Sequence, residues 1–278
     1  MERDFILAVR TFVFDLDGVI YRGEQPLPGA IDTIFALRQL QHQVYFFTNN
    51  ATQTRSDYIT KLTRMGIPCD KEHIMTSAYA TALYLISQNT HNSTAYVVGE
   101  QGLRDELKEI GMTLVDGSTP KDVDFVITGL DREFTYAKLM TAQQAIFSGA
   151  KFIATNRDTT FPLEEGLIVP GGGALVCAIE AATNVMPLVI GKPETTAMQE
   201  IFDLAGASPS DAVVVGDRLD TDILSGKRIG ALTVLVMTGI TTPEILANAP
   251  KEMEPDIVID CLSEILGNER IMNGCADG

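Results

Sequence analysis

Twice in this chain a short apolar run stops at a carboxylate, and nothing else constrains the fold as strongly. Phe12-Val13-Phe14 leads into Asp15-Leu16-Asp17-Gly18, and Val213-Val214-Val215 leads into Gly216-Asp217. Short apolar runs rich in aromatic and β-branched residues read as strands, and strands joined by crossover helices form parallel sheets buried on both faces. Further strands are expected at residues 44–47, 232–236 and 257–259. A helix is expected from Pro28-Gly29 through about Leu40, with Ile31, Ile34, Leu37 and Leu40 on one stripe. Others are expected over residues 56–65, 222–228, 243–247 and 262–266.

The same grammar fills the middle of the chain. Strands are expected at 96–98, 125–127 and 152–154, and helices at 103–110, 135–148 and 174–182. The fold class is therefore α/β. A length of 278 residues suits two domains. The chemical motifs flanking the middle block need each other. The expected division is a core of residues 1–78 and 188–267, an inserted α/β domain over 79–187, and a frayed tail over 268–278.

Composition narrows the functions. Hydrophobic residues at 45% and charged residues at 21% exclude wholesale disorder. A net charge of −16 disfavours nucleic acid and anionic membranes as partners. No stretch of 18 apolar residues occurs, so no membrane span is expected, and residues 1–10, with Glu2 and Asp4, lack a signal-peptide pattern. A cytoplasmic protein is expected. The four cysteines and three histidines (His42, His73, His91) show no metal-ligand spacing. Cys69, Cys177 and Cys261 read as reduced, partly buried thiols. Arg10, Arg22, Lys61, Arg64 and Lys227 read as solvated charges.

Four segments carry the chemistry. Asp15 and Asp17 sit where a strand ends, the place at which open α/β sheets bind ligands; Gly18 permits a tight turn beside one. Asp217, Asp220 and Asp222 fall within six residues. Such acids repel unless a hard divalent ion gathers them, and Mg²⁺ suits a few carboxylates plus phosphate oxygens. Asp220 or Asp222 could equally cap a helix. Thr48-Asn49-Asn50 ends a third strand, offering a hydroxyl and backbone N–H groups to a phosphate oxygen or a cap to the next helix. Gly191-Lys192-Pro193-Glu194 places one lysine after an apolar run and before a helix that Pro193 can start.

In this order the four segments resemble the haloacid dehalogenase-like phosphatase superfamily. Asp15–Val19 resembles its first motif, Thr48 its second, Lys192 its third and residues 216–222 its fourth. Phe47-Thr48-Asn49-Asn50, Gly191-Lys192-Pro193-Glu194 and Gly216-Asp217-Arg218-Leu219-Asp220-Thr221-Asp222-Ile223 look most like the NagD-like branch, with its 4-nitrophenyl and phosphoglycolate phosphatases. The resemblance implies a Rossmann-like core with a large inserted C2-type α/β cap. Asp15 becomes the nucleophile that forms an aspartyl-phosphate, and Asp17 the general acid and base. Asp15, the backbone carbonyl of Asp17, and Asp217 hold Mg²⁺, with Asp222 in support directly or through water. Thr48 and Lys192 bind the phosphoryl group, and Asn49 orients substrate or phosphate. A low-dielectric site strengthens the help that Mg²⁺ and Lys192 give a carboxylate attacking a phosphate dianion.

The loop Thr155-Asn156-Arg157-Asp158 resembles a stretch that faces the core site in the branch, so Asn156 and Asp158 are specificity candidates. Arg157 is either an anion clamp or a surface charge. Gly171-Gly172-Gly173 is either an anion cradle or a tight turn. The expected function is Mg²⁺-dependent hydrolysis of small phosphate monoesters, with a homodimer through the cap implied by the same resemblance. A phosphotransferase or phosphomutase on sugar phosphates is the same-class alternative, and a non-catalytic phosphometabolite-binding protein the different-class one.

Overall fold

The computed structural model describes residues 10–90, 92–162 and 167–273. Its strands are β1 (Thr11–Phe14), β2 (Tyr21–Arg22), β3 (Gln25–Pro26), β4 (Gln43–Thr48), β5 (Ile74–Thr76), β6 (Thr94–Val98), β7 (Thr113–Val115), β8 (Phe125–Thr128), β9 (Lys151–Ala154), β10 (Thr160–Pro162), β11 (Ile168–Pro170), β12 (Leu188–Val189), β13 (Ala212–Gly216), β14 (Leu232–Val236) and β15 (Ile257–Ile259). Its α-helices are α1 (Ala30–Gln39), α2 (Arg55–Arg64), α3 (Ser77–Ser87), α4 (Gln101–Glu109), α5 (Tyr136–Phe147), α6 (Gly172–Thr183), α7 (Thr196–Ala205), α8 (Leu224–Ile229), α9 (Pro243–Ala247) and α10 (Glu269–Asn273). Two compact units result: Met1–Phe47, Thr60–Ile74 and Met198–Gly278 in one, Thr48–Ile59 and Met75–Ala197 in the other.

The six-stranded sheet has the order β15-β14-β13-β1-β4-β5. β1 runs parallel to β4 on one side and to β13 on the other, with Phe14 level with Phe46 and Val215. The chain moves outward from β1 through β4 to β5, then returns to β13 on the opposite side of β1. The switch in direction lies between β1 and β13, the place where open α/β sheets present ligand sites at their carboxyl ends. Phe12, Phe14, Val213 and Val215 are fully buried there, which explains the unbroken apolar runs.

The five-stranded sheet has the order β12-β9-β8-β6-β7, with each of its pairs parallel. β8, β6 and β9 carry the core residues Val98, Val126 and Phe152, and α5 and α6 pack Ala142, Ile146, Val176 and Ile179 against them. β12 lies at the edge of this sheet, paired with β9.

Several local expectations change in three dimensions. The buried stripe of α1 is Ala30, Thr33, Ile34 and Leu37; Ile31 is half-buried and Leu40, beyond the last turn, is exposed. α7 starts at Thr196, three residues beyond Pro193, so the proline does not open it. A π-helical turn over Leu219–Ile223 precedes α8, and residues Leu262–Gly267 form a 3₁₀ helix. The tail holds α10, whose Ile271 is buried. Arg10, expected in solvent, is buried and donates to the carbonyls of Ala212, at 3.5 Å, and Ile271, at 3.2 Å. Lys61 lies over the Tyr21 ring and Lys227 pairs with Asp256. Cys177 is exposed, whereas burial pushes the Cys69 thiol up to about 11. His91, Cys275 and residues 1–9 lie outside the described residues.

Candidate active site

The carboxylate site forms at the carboxyl ends of β1 and β13. The Asp15 N–H donates to the Val215 carbonyl at 2.9 Å, extending the ladder past Phe14. Just past the end of β1, Leu16 is fully buried and Asp17 is exposed. It then turns sharply: Val19, Ile20 and Tyr21 all donate to the Leu16 carbonyl. Gly18 has φ +85°, and a Cβ there would lie 2.7 Å from Asp217 Oδ2. Glycine is needed at that position on both counts.

Beyond β13, Asp217 is 1% exposed, and its Oδ2 accepts the Ile240 N–H at 2.7 Å. Its carbonyl accepts the Thr241 hydroxyl at 2.6 Å. Asp222, also 1% exposed, reaches back over the π-helical turn to accept the Arg218 N–H at 3.1 Å. A Cβ on Gly216 would fall 2.1 Å from Asp222 Cβ, and one on Gly239 would fall 1.8 Å from Asp217 Oδ2. Asp220 stands apart. It is exposed and ion-pairs with Arg218 at 2.9 Å, and no side chain caps this helical segment. Residues 238–241, two of which bond to Asp217, are marked in the sequence only by a Thr-Gly turn after the apolar strand β14.

One oxygen each from Asp15, Asp217 and Asp222 lies within 4.8 Å of the other two, the one such metal-competent group among the described residues. Three carboxylates at that spacing repel one another strongly in a buried setting. A donor set made wholly of oxygen fits a hard cation such as Mg²⁺ better than zinc, which prefers nitrogen and sulfur. The residues present therefore fit a divalent cation.

The second cluster forms in the other unit, at the end of β4 and in the loops after β9 and β12. Thr48, Asn49, Asn156 and Lys192 are all buried. The Thr48 hydroxyl accepts the Asn50 N–H at 3.1 Å. The cap of α2 is Thr54, which exchanges bonds with Asp57, so none of residues 48–50 serves as that cap. The Asn49 amide donates to Lys192 O at 2.8 Å and to the Asp158 carboxylate at 3.1 Å; its oxygen accepts the Lys192 N–H at 2.9 Å. Asn156 donates to the Asn49 carbonyl at 2.7 Å and accepts the Asp158 N–H at 3.1 Å. Asn156 and Asp158, the specificity candidates, are both bonded to Asn49. Ser77, which the sequence reading did not single out, donates to the Asn49 carbonyl.

Arg157 is held in a two-pronged ion pair with Glu180 of α6, at 2.6 and 2.7 Å, which pushes its pKa up. Gly171 and Gly173 donate their N–H groups to Thr159 O and Asp158 O. A Cβ on either would fall within about 2.3 Å of a loop carbonyl. The glycine run therefore lets the 157–159 backbone lie close against α6, a packing role.

A haloacid dehalogenase-like hydrolase model matches residues 12–113, and a HAD-hydrolase-like model matches residues 189–265. The acid sugar phosphatase of Staphylococcus epidermidis is 38% identical over 246 residues, covering 88% of this chain and 92% of that protein. The chain is a haloacid dehalogenase-like hydrolase. Among solved structures, the p-nitrophenyl phosphatase from Archaeoglobus fulgidus superposes with a TM-score of 0.86 at 33% identity, covering 93% of this chain and 98% of that one. The glycerol phosphate phosphatase from Mycobacterium tuberculosis in complex with magnesium superposes at 0.83 with 31% identity, covering 92% and 76%. The HAD fold here is α/β with a Rossmann-like core and a cap, and the chain falls in the NagD-like branch. Among the described residues no helix is long and apolar enough to cross a membrane.

Proposed function

We propose that this HAD hydrolase uses Mg²⁺ to hydrolyse small phosphate monoesters through an aspartyl-phosphate on Asp15. That the chain is a phosphoric monoester hydrolase follows from its family and its relatives. The proposal adds the metal, the mechanism and the roles of residues. Its main support is the convergence of Asp15, Asp217 and Asp222 at the switch between β1 and β13.

In this reading Asp15, Asp217, Asp222 and the backbone carbonyl of Asp17 would hold Mg²⁺. The cation, when bound, supplies charge neutralisation between the carboxylate nucleophile and the phosphate dianion. An Asp15 oxygen attacks phosphorus; the new O–P bond forms as the ester O–P bond breaks. Asp17, exposed at the turn, gives its proton to the departing alkoxide. Asp17 then takes a proton from the water that attacks the aspartyl-phosphate, and inorganic phosphate leaves with Asp15 restored. Thr48 and Lys192 bind the phosphoryl oxygens, the lysine as a buried positive charge where its effect is largest. Residues 79–187 form the cap that selects the ester.

Release of phosphate from a panel of aryl, sugar and short-chain alkyl phosphates tests this, with Mg²⁺ and with EDTA, in wild type and Asp15→Asn. Turnover should require the metal and fall by about 10³-fold or more in the variant. Metal-independent turnover, or an active Asp15→Asn enzyme, defeats the reading. Dominant phosphorylation of an added sugar acceptor would favour phosphotransfer.

Free thiols at Cys69, Cys177 and Cys261 suit a reducing cytoplasm. A homodimer through the cap is proposed on the exposed apolar side chains of α5, Tyr136, Met140 and Phe147. Sedimentation should give a dimer for wild type and a monomer for Phe147→Glu.

A further inference from the structure

We propose that the side chain of Asn49 positions Lys192 and does not itself bind the substrate, and that Asp158 sets the direction of its amide. The inference rests on the phosphatase reading only in assigning Lys192 to the phosphoryl group.

The carboxamide of Asn49 pairs head to tail with the main chain of Lys192, accepting its N–H at 2.9 Å and donating to its carbonyl at 2.8 Å. That is the two-bond pattern by which one strand holds another, supplied here by a side chain. The second amide hydrogen points at the Asp158 carboxylate, at 3.1 and 3.2 Å. Reversing the amide would turn its oxygen toward Asp158 and toward Lys192 O, setting acceptor against acceptor. Both Asn49 amide hydrogens are therefore committed within the protein.

The rest of the frame is built around this pairing. Ser77 Oγ at 2.5 Å and Asn156 Nδ2 at 2.7 Å pin the Asn49 carbonyl. Gly191 leaves the room the amide needs: a Cβ there would lie 2.6 Å from Asn49 Oδ1 and 2.5 Å from Thr155 O. Asn49 and Lys192 are 7% and 3% exposed, so unmatched groups here would be costly and the matched set is rigid. Aspartate at 49 would aim an acceptor at Lys192 O and at Asp158; glutamine would be a methylene too long.

Two readouts on wild type, Asn49→Ala, Lys192→Ala and the double variant decide it. Hydrogen exchange at the Lys192 amide should be slow in wild type and fast in Asn49→Ala. Asn49→Ala should lower kcat/KM by about 10- to 100-fold, by the same factor for aryl and alkyl phosphates. The double variant should be no worse than Lys192→Ala alone. Unchanged exchange at Lys192 in a folded Asn49→Ala protein overturns the proposal. So do losses that differ severalfold between esters, or losses that add in the double variant. If Asn49→Ala does not fold, Asp158→Asn carries the same readouts, with a smaller loss expected. Wild type without turnover on any ester would defeat the phosphatase reading, while the exchange measurement would still decide the positioning role.

Discussion

The two polar clusters of this protein are built on opposite plans. At the ends of β1 and β13, three like charges are drawn within 4.8 Å of one another, and glycines at 18, 216 and 239 leave the carboxylates their room. Around Asn49, donors meet acceptors: amide with peptide, amide with carboxylate, hydroxyl and amide with carbonyl. The first arrangement gathers like charges and gains from a cation. The second matches the Asn49 side chain with partners inside the protein and gains from rigidity. A charged cluster is thus designed by what it will receive, and a matched network by what it already holds.

The largest effect that could break this contrast is at Asp217. Asp217→Asn should lower turnover by about 10²-fold or more, because the cluster loses a charged ligand. Calorimetry gives an independent reading: Mg²⁺ should raise the melting temperature of wild type and not of the variant. In EDTA the variant loses one of three repelling charges and keeps an oxygen for the Ile240 N–H, so it should melt close to wild type. A variant that melts well below wild type in EDTA would show that the bonds of the Asp217 carboxylate within the protein outweigh the repulsion.

A smaller effect sharpens the contrast. Gly216→Ala and Gly191→Ala each force a methyl group into occupied space, against Asp222 Cβ and Thr155 O respectively. Each should cost about 1–3 kcal/mol of stability in thermal unfolding. Their functional losses should separate. Gly216→Ala should lose the stabilisation by Mg²⁺, and Gly191→Ala should keep it while losing turnover through a displaced Lys192. Loss of Mg²⁺ stabilisation in both would show the two clusters to be one cooperative unit.

Much of the first cluster was legible in the sequence, because its information is local. An apolar run followed at once by an acid gives both the strand and the position of the carboxylate at its end, as at Asp15 and Asp217. The second cluster was legible only in its members. Thr48, Asn49, Asn156, Asp158 and Lys192 could each be named, but their hydrogen-bond partners lie more than 100 residues apart in the case of Asn49 with Asp158 and Lys192. Arg157 reads equally as a clamp or a surface charge, and its ion pair with Glu180 bridges a separation of 23 residues. Arg10 read as solvated until the carbonyls of Ala212 and Ile271 closed around it.

The sequence by itself determined the α/β class, the strand ends, the order of four motifs and the acids that could gather a cation. Each of these depends on residues within a few positions of one another, where strand period and chain direction decide the outcome. Tertiary structure alone decided which polar groups face each other, which glycines make room, and that Asn49 grips Lys192. Those choices depend on the pairing of distant loops, where a hydrogen bond forms or fails over a few tenths of an ångström that no local pattern encodes.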